Sequence, residues 1–173
     1  CARKLSDYVS SITIVAKDKV ELEKLKETIL HLNPVGIVLE DDTHKAIKNA
    51  DIVINANNLQ EPAFDISELK PNTIVCDVSL SLSTPDKAQL KQDITVIKCG
   101  LIKLPNPVKL GINMGLPEDI ISASLAETMI LTFAEKFANH SFGDNINLDK
   151  LEEIADMSVQ YGFEVWVPEA PVL

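Results

Sequence analysis

A parallel β-sheet covered by helices on both faces, the doubly wound α/β architecture, is the fold class that this sequence of 173 residues predicts. Three observations predict it. From Ile12 to Lys98, short β-rich runs alternate with amphipathic helical stretches, the order that a sheet with crossover helices requires. The runs are nearly unbroken apolar stretches, as in strands buried on both faces, and not the polar-apolar alternation of hairpins. Turn-forming pairs, Asn33-Pro34 and Lys70-Pro71-Asn72, stand where helices would return to strands.

Taken in order, Cys1 to Val9 reads as the body of a first helix, and strands are expected over 12–15, 36–39, 51–54, 73–76 and 94–97. Between the first two, Val20, Leu22, Leu25, Ile29 and Leu32 recur at helical spacing, with Lys and Glu on the other face. A shorter helix is expected over 43–50, and Ser83-Thr-Pro-Asp opens another before the fifth strand. After Gly100 the pattern changes. Pro105 and Pro107 mark an irregular crossing, then a long helix is expected from about 118 to 139 and a second from about 148 to 161. Asp149, Glu152 and Glu153 fall in the first turn of that second helix, where negative charge suits the dipole, and read as capping and solvated groups. The stretch from Val165 to Pro171 has two prolines and no period, so it is expected to pack loosely or against a partner. The resulting organisation is a nucleotide-binding domain over 1–112, a helical segment over 113–163 carrying the candidate active-site helix, and a tail over 164–173.

A Rossmann-like dinucleotide fold opens with a strand and a Gly-x-Gly-x-x-Gly turn, because only glycines let the backbone approach a pyrophosphate. This sequence has no such turn. The expectation is therefore a Rossmann-like sheet missing its first strand and glycine loop, with a preceding domain of the same protein outside the sequence. What remains of a cofactor site begins at the end of the first visible strand, where Lys17 and Lys19 suit a 2'-phosphate and favour NADP over NAD. Asn55, Asn57 and Asn58 follow the third strand, and Asp77 and Ser79 the fourth, at the carboxyl edge where such sheets bind ligands; Cys99 and Gly100 hold the same position after the fifth.

The net charge of −10 is spread without an acidic block, which argues against nucleic acid as a partner. Three cysteines without metal-ligand spacing suggest a reducing, cytoplasmic setting. No apolar run reaches the ~18–20 uncharged residues of a membrane span, and no His or Cys pair predicts a metal. His31, His44 and His140 read as structural, and Cys76 as core.

The 120–134 stretch carries one charge, Glu127. Ser124 stands one helical turn before it, so the two share a face, and Ser122, Ala123, Ser124 and Ala126 leave room for a substrate or another backbone. Glu127 could act as an acid or base, or could satisfy backbone groups at an interface.

The C-terminal half resembles the long-chain acyl-[acyl-carrier-protein] reductases and their relatives described as amino-acid or shikimate-type dehydrogenases. The resemblance rests on Asn113-Met114, Pro117, Ala123, Ala126-Glu127, Met129, Ser141-Phe142-Gly143, Asp149-Lys150, Ile154, Ser158-Val159 and Gly162-Phe163, and continues more weakly upstream through Ala50 to Val53 and Asp77. It implies an NADP-dependent reduction of an acyl thioester, on acyl-carrier protein or coenzyme A, to an aldehyde. Ser124 and Glu127 would then be the catalytic residues, and further copies of the chain are also expected partners. In the family a cysteine takes the acyl group, and here Ser124 stands at that position. A hydroxyl is far less acidic than a thiol, and no adjacent histidine is evident to activate it. An engineered replacement, direct reduction of a bound thioester, lost or altered activity, and a thiolate supplied by Cys99 all remain open. The competing expectations are a shikimate- or amino-acid-type dehydrogenase acting on a small substrate and a non-catalytic nucleotide-binding module.

Overall fold

The computed structural model describes residues 1–56, 64–78, 93–108, 111, 116–138, 140–141 and 146–167. The chain divides into two compact units, Cys1–Val96 and Ile97–Leu173. It is mixed α/β, with parallel strand pairs in the first unit and antiparallel pairs in the second.

The first unit opens with a short helix, α1 (Ala2–Leu5), and then the strand β1 (Ser11–Val15). Helix α2 (Lys19–Leu32) starts at Asp18, whose carboxylate accepts from the backbone N–H groups of Val20 and Glu21 at 3.0 and 3.1 Å, satisfying two of the orphan donors of a helix start. It ends at Asn33, whose extended backbone precedes Pro34. Strand β2 (Gly36–Glu40) pairs parallel to β1, with Ile12 opposite Ile37 and Ile14 opposite Leu39. Helix α3 (Thr43–Ile47), capped by Asp42, leads to β3 (Ile52–Asn55). A 3₁₀ turn (Ile66–Glu68) precedes β4 (Ile74–Asp77), parallel to β3, and β5 (Thr95–Lys98) completes the order β3-β4-β5. Ile47, Ile66, Leu69, Val75 and Ile94 form the buried core beneath this sheet. Asn72, in the turn before β4, has φ +64, a left-handed conformation that asparagine tolerates.

The five expected strands are thus present to within a residue at each end, but among the described residues they form two sheets, β1-β2 and β3-β4-β5, and not one. The helix anticipated at Ser83 and the residues Asn57, Asn58 and Ser79 lie outside the described residues.

The second unit holds an antiparallel sheet that the sequence reading did not anticipate, in the order β7-β6-β8. It comprises β6 (Leu101–Lys103), β7 (Ile120–Ser122) and β8 (Glu164–Val165). Two helices, α4 (Ala123–Phe133) and α5 (Leu148–Gln160), pack together, and Leu104, Ile121, Ala126, Ile130, Met157 and Phe163 are their common core with the sheet. Three corrections follow. The helix expected over 118–139 is shorter at both ends. Ile120 and Ile121 are buried β-branched residues that pair with β6 instead, and the helix stops where Glu135 turns to φ +54. The start of the expected loose tail is a strand: Val165 pairs with Ile102, and the Trp166 N–H donates to the Leu101 carbonyl at 3.0 Å. Glu153 is not merely solvated, since it pairs with Lys136 and His140.

No helix among the described residues is long and apolar enough to cross a membrane.

Candidate functional site

In the first unit the expected cofactor residues fall at the carboxyl ends of parallel strands, where side chains leave the ladder and face a loop edge. Asn55 closes β3 and Asp77 closes β4, opposite one another in register. The Asn55 amide donates to Asp77 Oδ1 at 3.1 Å, and the two residues are only 6% and 5% exposed. A buried carboxylate needs such donors, because its desolvation is otherwise uncompensated. Neighbouring parallel strands ending in Ile-Asn and Cys-Asp bring about the pair, and sequence spacing alone could not show that they touch.

The two lysines separate. Lys17 is exposed in the loop leaving β1. Lys19 begins α2, and its ammonium lies 3.2 Å from Asp41 Oδ2, holding that carboxyl below the usual aspartate range. Next to it Lys45 contacts Glu40 at 2.5 Å and lowers the Glu40 carboxyl in the same way. A cleft of about 190 Å³ opens here, lined by Lys19, Leu22, Glu23, Leu39, Glu40 and Asp41. Three carboxylates to one ammonium make it unfavourable for a phosphate. The run Glu40-Asp41-Asp42 signalled this in the sequence, but only the fold brings it to Lys19.

In the second unit the expected catalytic pair lies at a strand-to-helix junction. Ser122 ends β7 in extended conformation and caps α4, its Oγ accepting from the Leu125 N–H at 3.4 Å and lying 3.1 Å from Ser124 Oγ. Ser124 is therefore in the first helical turn and exposed, not in mid-helix as the longer helix implied. The positive end of the helix dipole lies at these hydroxyls. Glu127, half-buried one turn on, accepts a 2.5 Å hydrogen bond from Ser141 Oγ. Gly100, at φ +80, accepts through its carbonyl from the Ala123 N–H at 2.8 Å. Leu101 pairs with Ser122 at the end of the antiparallel ladder. Cys99 itself is half-buried, its Sγ 3.7 Å from the Ile97 carbonyl.

Sequence reasoning missed Ser122 as a cap and Ser141 as the Glu127 donor. It read His140 as a structural group following a helix C-terminus, without its partners. The imidazole is only 6% exposed, with Nδ1 2.8 Å from the Ala138 carbonyl and Nε2 3.3 Å from Glu153. Glu153 also takes the Lys136 ammonium, whose hydrogen bond holds its carboxyl below the usual range. Among the described residues no group of His, Cys, Asp and Glu could hold a metal ion.

No family model matches the chain. Over 107 residues, 60% of its length, it is 28% identical to the protein named Aminotransferase PigE of Serratia sp. (strain ATCC 39006), of which that stretch covers 12%. The chain thus matches only a small share of this much longer relative.

Proposed function

We propose that this chain is part of an enzyme, an NADP-dependent reductase that converts an acyl thioester on a carrier protein or coenzyme A into an aldehyde, with a Rossmann-like nucleotide-binding unit lacking its first strand and glycine loop. The observation that carries the reading is the β7–α4 junction, where two hydroxyls stand at the amide end of a helix one turn from a positioned carboxylate. Helix-end amides favour negative charge, which is what a thioester carbonyl oxygen develops when its carbon is attacked. Ser122 and Ser124 are hydroxyl donors for that oxygen. Ser141 fixes the Glu127 rotamer, so the carboxylate is held for proton transfer or for orienting the acyl group. NADP would supply hydride. Lys17, Asn55 and Asp77 fit a nucleotide at the strand ends; Lys19, already engaged by Asp41, fits it less well.

The similarity to a protein named as an aminotransferase supports an enzymatic reading. It does not bring transamination to this chain, because the match covers 12% of that relative. Ser124 at the family's cysteine position favours the second reading, a nucleotide-binding module without turnover, over a dehydrogenase of small shikimate-type substrates.

The test is a Ser124→Cys variant, incubated with an acyl-carrier thioester and examined by intact-protein mass spectrometry, beside NADPH consumption by both forms. Acyl transfer to the variant, or NADPH oxidation dependent on the thioester, supports the reductase. Absence of both ends that reading, and NADPH binding without turnover selects the module.

A further inference from the structure

α4 ends in a turn that fixes where the chain goes next. The Lys136 N–H donates to the Leu131 carbonyl at 2.9 Å and the Glu135 N–H to the Thr132 carbonyl at 3.1 Å, the paired bonds with which a helix stops on a left-handed residue. That residue is Glu135, at φ +54, a place that glycine usually takes. The segment beyond it has little apolar hold, since Phe137 is 83% exposed and Ala138 is exposed as well. Its ties are polar, and they run to one side chain. Glu153, in the second turn of α5, takes the Lys136 ammonium on Oε1 and faces His140 Nε2 with Oε2 at 3.3 Å.

His140 is the enclosed member of this group. Its side chain is 6% exposed, against 39% for Glu153 and 43% for Lys136. The partner of Nδ1 is the Ala138 carbonyl and that of Nε2 is a carboxylate, so both are acceptors and each ring nitrogen directs an N–H at an oxygen. The ring is thereby oriented by its own backbone on one side and by α5 on the other. Ser141 is the next residue, and its hydroxyl donates to Glu127 Oε1. One enclosed imidazole thus stands a single peptide bond from the donor that holds the carboxylate of α4.

We propose that His140 and Glu153 are positioning residues for Glu127: their contact pins the segment leaving α4 to α5, and so holds the Ser141 hydroxyl against the Glu127 carboxylate. Lys136 shares Glu153, but it lies on the helix-ending turn that backbone bonds already fix, five residues before Ser141. It is therefore the control. That Glu127 works at the β7–α4 junction is the reading on which this rests; the measurement below follows the carboxylate and not turnover, so the two can fail separately.

The side-chain carboxyl carbon of Glu127 is followed by NMR in the 173-residue chain carrying isotope-labelled glutamate, with Glu127→Gln to assign the signal. Ser141→Ala removes the donor and defines the full displacement of that signal. Glu153→Met and His140→Ala, with Ser141 intact, should each reproduce more than about half of it, and Lys136→Met less than about half. In the unsubstituted chain the His140 ring protons should show nuclear Overhauser contacts to the Glu153 methylenes, a readout that depends on no variant folding. No displacement with Ser141→Ala, less than half with either Glu153→Met or His140→Ala, an equal effect of Lys136→Met, or absent ring contacts would each overturn the proposal. Should these results hold while the acyl-transfer and NADPH tests fail, the reductase reading falls and the positioning stands. The reverse outcome leaves the reductase reading in place, with Glu127 held by other contacts.

Discussion

The position of Ser124 in the first turn of α4 can be tested by the acidity of a thiol placed there. A free cysteine titrates near ~8.5. A helix N-terminus stabilises an adjacent anion by about 0.3–1 kcal/mol at an exposed site, which at ~1.36 kcal/mol per unit lowers the pKa by about 0.2–0.7. Glu127 acts against this from one turn away. At roughly 6 Å in a water-like dielectric, two like charges cost about 0.7 kcal/mol, or ~0.5 of a unit. In a Ser124→Cys variant, with Cys1, Cys76 and Cys99 replaced by serine, the two effects nearly cancel and the thiol should titrate between about 8.3 and 8.8. Adding Glu127→Gln should then lower it by about half a unit, and the difference should shrink in high salt. The assay is the pH dependence of iodoacetamide alkylation, followed by mass. A pKa that stays at or above ~8.5 once Glu127→Gln has removed the carboxylate would show that the helix end does not act on this position, and the oxyanion argument would fall with it.

Two further outcomes follow from the polar contacts. Because Lys136 and then His140 hold the Glu153 carboxyl below its ordinary value, its pairing contributes stability above the unfolded-state pKa, and this contribution is lost as pH falls through the lower folded-state value. Thermal melting by circular dichroism from about pH 5 to about pH 3 should therefore fall less steeply for Glu153→Gln than for wild type, and parallel curves would contradict the ion pair. Asn55→Leu removes a buried donor to Asp77, and should cost about 1.5–3 kcal/mol in urea denaturation of the first unit; a loss under ~0.5 would mean the carboxylate does not depend on it.

The strands of the first unit were legible because each is a short β-branched run between Pro, Asn or Asp signals, and local composition decides such segments. What composition could not give is which strands pair: nothing in Ile12-Thr-Ile-Val or Ile52-Val-Ile-Asn says that, among the described residues, β1 pairs with β2 and β3 with β4 in separate sheets. Nor could it locate the start of α4. Ile120-Ile-Ser-Ala-Ser-Leu fits helical spacing, but two adjacent β-branched residues with a serine cap also fit a strand that turns into a helix, and pairing with Leu101–Lys103 decides between them.

For the candidate site the same difference matters chemically. Ser124 and Glu127 are one turn apart in either reading, so the pair itself was visible in the sequence. The electrostatics are not the same: in mid-helix the backbone amides are consumed by carbonyls one turn back, whereas at a helix start the dipole end is open to an anion. The N–H of Ala123 goes to the Gly100 carbonyl, so Gly100 acts at this junction as a backbone acceptor that steers β7 into the helix. Ser122 does the capping, which leaves Ser124 Oγ with a hydroxyl neighbour and an exposed side. A carbonyl oxygen approaching that side would meet hydroxyl donors and a positive helix end, with Glu127 one turn away. That distribution of charge suits the polarisation of an acyl carbonyl better than it suits a structural helix contact.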